Sequence, residues 1–209
     1  MNYIEALRSR YSVKKFDPSK IIVPDILKNI LEAGKLSASS LGLQPYKIYV
    51  AESEIVKNRL IEAFANPSQI STCSHLVAIV VKKEIDENYI DGYFNHISVV
   101  RDLPVENLAP FRKSIDYFRS LHDEHTTASW NEKQAYIVLA NLMFAAALEG
   151  VDSCPMEGFI PEKINKILDL DTSKEHVSVT LALGYAAEDD AFKNFKKVRK
   201  PDDKLFKFL

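Results

Sequence analysis

Two groups of cations lie at opposite ends of the chain. Arg8, Arg10, Lys14 and Lys15 are interleaved with Ser9, Tyr11 and Ser12 near the start, and Lys193, Lys196, Lys197, Arg199 and Lys200 crowd the end. An arginine fork beside a hydroxyl donor matches the oxygens of a phosphate monoester. The same residues serve equally as cations meeting a helix macrodipole and as a solvated lysine-rich tail. A third candidate is the loop at residues 37–45, SASSLGLQP, where Ser37, Ser39, Ser40 and Gln44 gather short donors and acceptors and Gly42 adds backbone freedom. Such a loop suits a ribityl chain or a heteroaromatic edge, and suits an ordinary connection as well.

Other chemistries are missing. The six glycines, Gly34, Gly42, Gly92, Gly150, Gly158 and Gly184, form neither a GxGxxG fingerprint nor a P-loop, so a resident dinucleotide cradle is not expected. No GxSxG elbow or Cys-His signature occurs. His122 and His125 have a spacing that a metal accepts, but they sit in a polar stretch with no third ligand nearby and read as surface. The two cysteines, Cys73 and Cys154, exclude a disulfide framework and a cysteine zinc site, and fit a reducing compartment. A net charge of −2 gives no field for nucleic acid or an anionic membrane. The first residues, MNYIEALRSRYS, lack the apolar run of a secretory signal, so a cytoplasmic protein is expected.

Positioning these groups requires an alternating set of helices and strands. Residues 2–9 read as a short helix. Pro24 with Ile26, Leu27, Ile30 and Leu31 reads as a second helix, with Gly34 as its stop signal. Residues 46–51 read as a strand, 55–64 as an amphipathic helix, and 75–81 (HLVAIVV) as a strand buried on both faces. Residues 86–125 suggest helices joined by mobile connections. Residues 130–149 form a central helix that is apolar nearly all round and so needs partners on every side, a subunit interface among them. Within it, the apolar run 135–148, broken by Asn141, is too short for a membrane span. A strand at 151–154, a helix near 162–168 and a strand at 177–183 complete the pattern, which indicates an α+β fold in one domain spanning 1–209.

Five stretches, RSRYSVKKFD, SASSLGLQPYK, FANPSQ, CPMEGF and KKVRKP, occur in the order and spacing of one family. Through them the chain resembles the FMN-dependent nitroreductases, most closely the oxygen-insensitive nitroreductase and flavin-reductase branch. The resemblance implies a mixed central sheet flanked by helices, in an intertwined homodimer whose C-terminal arm reaches the partner subunit. FMN would lie between the subunits. Arg10, Ser12, Lys197 and Arg199 would hold its phosphate, with Tyr11 alongside, and Lys14 would lie near the N1/O2 edge of the ring. Asn66 and Gln69 would bond the pyrimidine side, and Pro155, Met156, Glu157 and Gly158 would bring the Glu157 amide to flavin N5. Ala38, Ser39, Ser40 and Gln44 would come from the other subunit. Phe118, with Tyr117 beside it, aligns with an aromatic over the open face of the flavin and would contact substrate.

The same resemblance implies ping-pong hydride transfer, with NADPH or NADH visiting first and a nitroaromatic or quinone acceptor taking its place. No side chain acts as a nucleophile and no metal is called for; Lys14 and the Glu157 amide tune the flavin. The alternatives are a flavin reductase that releases reduced free flavin and a flavin-binding protein with little turnover. Gly42 stands where the family often has Asn, Tyr46 where it often has Trp, and Gln69 where some relatives carry Lys. The last change removes a positive charge near the flavin.

Overall fold

The computed structural model describes residues 2–209. Residue 1, the first position of the expected domain, lies outside the described residues. Four strands, β1 (Tyr46–Ala51), β2 (His75–Lys82), β3 (Asp152–Met156) and β4 (Glu175–Gly184), form one sheet in the order β1-β2-β4-β3. All neighbouring pairs are antiparallel. The mixed sheet is therefore corrected for the named strands: parallel pairing enters only as a single bridge between Ser12 and Ser153 on the outer side of β3.

Hydrophobic alternation in β2 divides the interior in two. Val77, Ile79 and Val81 face one core cluster, and Leu76, Ala78 and Val80 face the other. A register shift pairs Ile79 with Val179 but Val80 with Val177, leaving Ser178 as an extra residue in β4. That bulge flips the alternation, so Val177 and Val179 lie in opposite clusters although they are two residues apart.

Nine α-helices occur among the described residues, and two groups of them flank the sheet. On one face lie α1 (Tyr3–Ser9), α2 (Pro24–Lys35) and α7 (Glu124–Leu148), with α2 and α7 in contact. Gly34 does not stop α2, which continues to Lys35; a Cβ at Gly34 would stand 2.7 Å from Leu142 Cδ2, so its role is close approach to α7. Helix α7 begins six residues before the expected start, under a capping box made by Asp123 and Thr126. It buries Ala135, Val138, Leu139, Leu142 and Ala146 against the sheet while Tyr136, Ile137 and Leu148 stay 42% exposed. On the other face α3 (Glu54–Leu60), α4 (Pro67–Thr72) and α8 (Pro161–Ile167) pack on the cluster that holds Leu76, Ala78 and Val80.

Helices α5 (Glu87–Arg101) and α6 (Ala109–Ser120) contribute to a separate third cluster with Leu41, Leu43 and Trp130. Beyond β4 the chain is mostly irregular apart from the short α9 (Asp202–Leu205). This tail ends on Phe206, Phe208 and Leu209, all exposed. No helix among the described residues is long and apolar enough to cross a membrane.

Candidate functional site

The two cation groups meet. Arg10 caps the C-terminal end of α1, and residues 12–17 then run beside β3 and the chain that follows β4. The bridge between Ser12 and Ser153, a second between Phe16 and Ala186, and the bonds Asp17 N–H to Tyr185 O (2.7 Å) and Ala187 N–H to Lys15 O (3.0 Å) hold them there. Asp190, only 5% exposed, closes this corner. Its carboxylate accepts the backbone amides of Lys14 and Lys15, each at 2.7 Å, and of Phe192 at 2.9 Å. The tail is thereby aimed back at α1, where Lys197 Nζ donates to the carbonyls of Leu7 and Arg10. Those are carbonyls at the C-terminal end of a helix, which a cation satisfies.

Arg10, Lys197 and Arg199 line one cavity of about 450 Å³ with Ser12 and Lys14. Arg10 Nη1 is buried and has no hydrogen-bond partner. Burial, and then the charge of Arg199, pull the Arg10 guanidinium below its ordinary proton affinity. Burial, and then Arg10 and Arg199, do the same to Lys197. No carboxylate lines the cavity. An unsatisfied buried donor costs ~1–3 kcal/mol, so three mutually repelling cations around an orphaned guanidinium nitrogen describe a cradle for a multiply charged anion. Arg199 Nη1 reaches only its neighbour, the Val198 carbonyl, at 2.7 Å. Tyr11 lines the same cavity; burial, with Asp190 and Asp152 nearby, pushes its phenol up to about 12.

The floor beside the cradle is built around Cys154. Its sulfur accepts from Gln69 Nε2 at 2.7 Å and lies 3.9 Å from Lys14 Nζ. Burial raises its thiol pKa, against the pull of Lys14 and Gln69. Gln69 is 4% exposed, and its amide nitrogen also donates to Val13 O at 2.9 Å. Both amide hydrogens are therefore used inside the protein, which narrows what Gln69 offers a ligand to its carbonyl oxygen. Asn66 is exposed and caps α4 by accepting the Ser68 amide at 3.3 Å. Pro155 and Met156 end β3, and the turn through Glu157 and Gly158 is tied to residues 63–65 by the bonds Ala65 N–H to Gly158 O (2.9 Å) and Ile160 N–H to Ala63 O (2.7 Å). Asn66 thus stands next to the segment tied to Gly158. Tyr136 of α7 donates to Glu157 Oε1 at 2.6 Å, and burial, then this carboxylate, push the phenol up to about 12.

The remaining candidates lie elsewhere in the chain. Residues 37–45 precede β1, the opposite edge of the sheet from β3. Three strand spacings separate the two edges, roughly 14 Å. The loop is rigidly built: Leu41, Gly42 and Gln44 all have positive φ, Ser39 Oγ accepts the Gln44 amide at 2.9 Å, and Gln44 Nε2 donates to Lys35 O at 2.9 Å. Ser40 N–H donates to Gln134 Oε1 at 2.8 Å, whose amide nitrogen donates to Trp130 O at 3.0 Å. Trp130 in turn packs against Phe118, the rings tilted with centroids 4.9 Å apart. Ser40 and Phe118 therefore belong to one lobe, together with Ala38 and Ser39 of the same loop. Phe118 is half-buried between Trp130 and His122, whereas Tyr117 is 67% exposed. In a single chain this lobe lines none of the cation cavity. Among the described residues no three His, Cys, Asp or Glu side chains gather as a metal site.

Sequence reasoning missed Asp190, Cys154 and Tyr136. Asp190 sits in the polar run EDDAFKN and carries no local signal. Cys154 opens the CPMEGF stretch but carries no site role there, and Tyr136 reads only as a member of an apolar helix.

The sequence model of the nitroreductase family matches residues 7–185. A Staphylococcus epidermidis protein with a provisional NAD(P)H nitroreductase name is 34% identical over 216 residues, covering 99% of this chain and 96% of its own. A nitroreductase structure from Bacillus subtilis superposes with a TM-score of 0.87 at 20% identity, over 99% of this chain and 98% of that one. Another, from Exiguobacterium sibiricum and described as a complex with FMN, gives a TM-score of 0.85 at 21% identity, over 100% and 98%.

Proposed function

Given that the chain belongs to the nitroreductase family, we propose that it is an FMN-dependent NAD(P)H oxidoreductase that reduces nitroaromatic or quinone acceptors as a homodimer. The observation that carries the FMN assignment is the buried, unpartnered Nη1 of Arg10, a residue that lines a cavity without carboxylates together with Lys197 and Arg199. A flavin phosphate supplies the missing charge, and Ser12 adds a hydroxyl donor. The FMN-bound E. sibiricum structure supports the same cofactor.

FMN, when bound, would supply the redox chemistry that links a nicotinamide donor to the acceptor. The protein supplies orientation and charge. Lys14, held beside Cys154, would place an ammonium where the pyrimidine end of the ring gathers negative charge on reduction. Asn66, the Gln69 carbonyl oxygen and the turn through Glu157 and Gly158 would frame the ring, with the Glu157 amide as a further donor to it. Ala38, Ser39, Ser40, Gln44 and Phe118 lie too far across the sheet to join this half-site in their own chain, so a second copy would bring them. The exposed Tyr136, Ile137 and Leu148 of α7 offer a face for that copy. The exposed Phe206, Phe208 and Leu209 offer an arm for it, and β1 has an unpaired edge among the named strands. An obligate interface of this sort buries ~2,000–5,000 Å².

The visible spectrum of the purified protein is the test. A yellow protein that sediments as a dimer and bleaches anaerobically with NADPH or NADH is expected. A colourless one that cannot be reconstituted with FMN overturns the assignment.

A further inference from the structure

The cation cavity carries more positive charge than one phosphate monoester uses. Besides the four cations already assigned, Arg8, Lys193 and Lys196 line it. A monoester brings at most about two negative charges. Of the three, Lys193 has acidic neighbours outside the lining, the 94% exposed Glu188 at 3.4 Å and the more buried Asp152, whereas no ion pair joins Arg8 or Lys196 to a carboxylate among the described residues. The exposed pair with Glu188 contributes little.

The same wall carries two phenyl rings. Phe192 and Phe195 stand edge to face, with centroids 5.3 Å apart, and are 44% and 69% exposed. Phe192 is anchored, because its amide bonds the carboxylate of Asp190. Apolar rings held open among lysines form a surface on which a heteroaromatic base stacks while the cations take a phosphate.

We propose that this wall, made by Arg8, Phe192, Phe195, Lys193 and Lys196, binds the adenosine 2′-phosphate of NADPH, so that the enzyme draws hydride from NADPH in preference to NADH. This rests on the FMN-dependent reading above and assigns the donor that the reading leaves open. Recognition is by stacking plus charge-assisted bonds to a second monoester, which NADH lacks.

The test uses FMN-loaded holoenzyme. Adenosine 2′,5′-bisphosphate, 5′-AMP and inorganic phosphate are titrated by calorimetry, and kcat/KM is measured for both nicotinamides at low salt. The bisphosphate is expected to bind at least about tenfold tighter than 5′-AMP, with a similar NADPH-over-NADH ratio. Arg8→Glu combined with Lys196→Glu is expected to remove both differences, with each rate taken per FMN bound because these side chains line the cavity that holds the flavin phosphate. Equal binding of the bisphosphate and 5′-AMP overturns the proposal. So does a nicotinamide ratio near one, a ratio unmoved by the charge reversals, or inorganic phosphate binding as tightly as the bisphosphate. A chain that retains no FMN overturns the functional reading and this proposal with it, and the spectrum identifies that case.

Discussion

The carboxylate of Asp190 accepts the backbone amide of Lys14 at 2.7 Å across 176 residues of sequence. It also accepts Lys15 and Phe192, so one buried side chain fixes both the strip carrying Lys14 and the start of the tail carrying Lys197 and Arg199. Asp190→Ala leaves three amides unsatisfied. Stability is expected to fall by about 3 kcal/mol, from hydrogen bonds to a charged group. FMN affinity should fall with it, because the two cation groups lose their common anchor. Urea unfolding and a flavin fluorescence titration on the same variant check both effects; an unchanged flavin affinity would remove Asp190 from the site.

Arg10→Ala removes the orphaned guanidinium. Losing charge-assisted bonds to a phosphate is expected to weaken FMN binding roughly ten- to a hundredfold. The apo protein should not become less stable, because burial and Arg199 already disfavour the charged Arg10. Lys14→Ala should instead keep most of the affinity and shift the flavin potential. Equal FMN affinity in wild type and Arg10→Ala would refute the phosphate assignment.

Much of this site was readable in the residues. The cation groups, CPMEGF and FANPSQ are visible as motifs; the apolar run at 75–81, rich in Val and Ile, forms β2, and the aromatic and β-branched residues of 46–51 form the half-exposed β1. Helix α4 was not foreseen: PSQIST has no apolar period and is held by its Asn66 cap and by the buried Gln69 and Ile70. The polar first turn of α7, EHTTAS, hid its true start for the same reason. The antiparallel sheet, the convergence at Asp190 and the use of the Gln69 hydrogens depend on contacts between segments far apart in sequence, which local patterns do not encode.

His75 gives the protein a pH dependence of known sign. The ring is buried, its Nδ1 lies 2.8 Å from Ser74 Oγ, and that oxygen accepts the Ile22 amide. Burial lowers its pKa from the ordinary 6.5, Glu52 opposing and Lys57 assisting. A folded state that resists protonation keeps this contribution above pH 6.5 and loses it as pH falls through the lower folded value. Melting temperatures measured from pH 8 down to about 5 should fall in wild type and fall less in His75→Gln. Parallel curves would exclude His75 as the source.

Gly42 holds the loop at φ +70°, and a Cβ there would lie 2.5 Å from the Tyr93 hydroxyl that bonds Leu41 O. Gly42→Ala is expected to cost about 1–3 kcal/mol through strain and overlap. Adding Tyr93→Phe should recover part of the loss, so the two changes are less than additive in thermal melts. Full additivity would show that overlap with Tyr93 is not the cause.

The two halves of the proposed site sit at opposite edges of each sheet, and this separates their defects by allele. In a mixed dimer, one chain lacking Arg10 and the other damaged at Gln44 would leave one site with both lesions and its twin with neither. Two inactive gene products would then restore each other to half strength. Two lesions within the same half-site would not. The topology of a four-stranded sheet would in this way be read out as a pattern of genetic complementation.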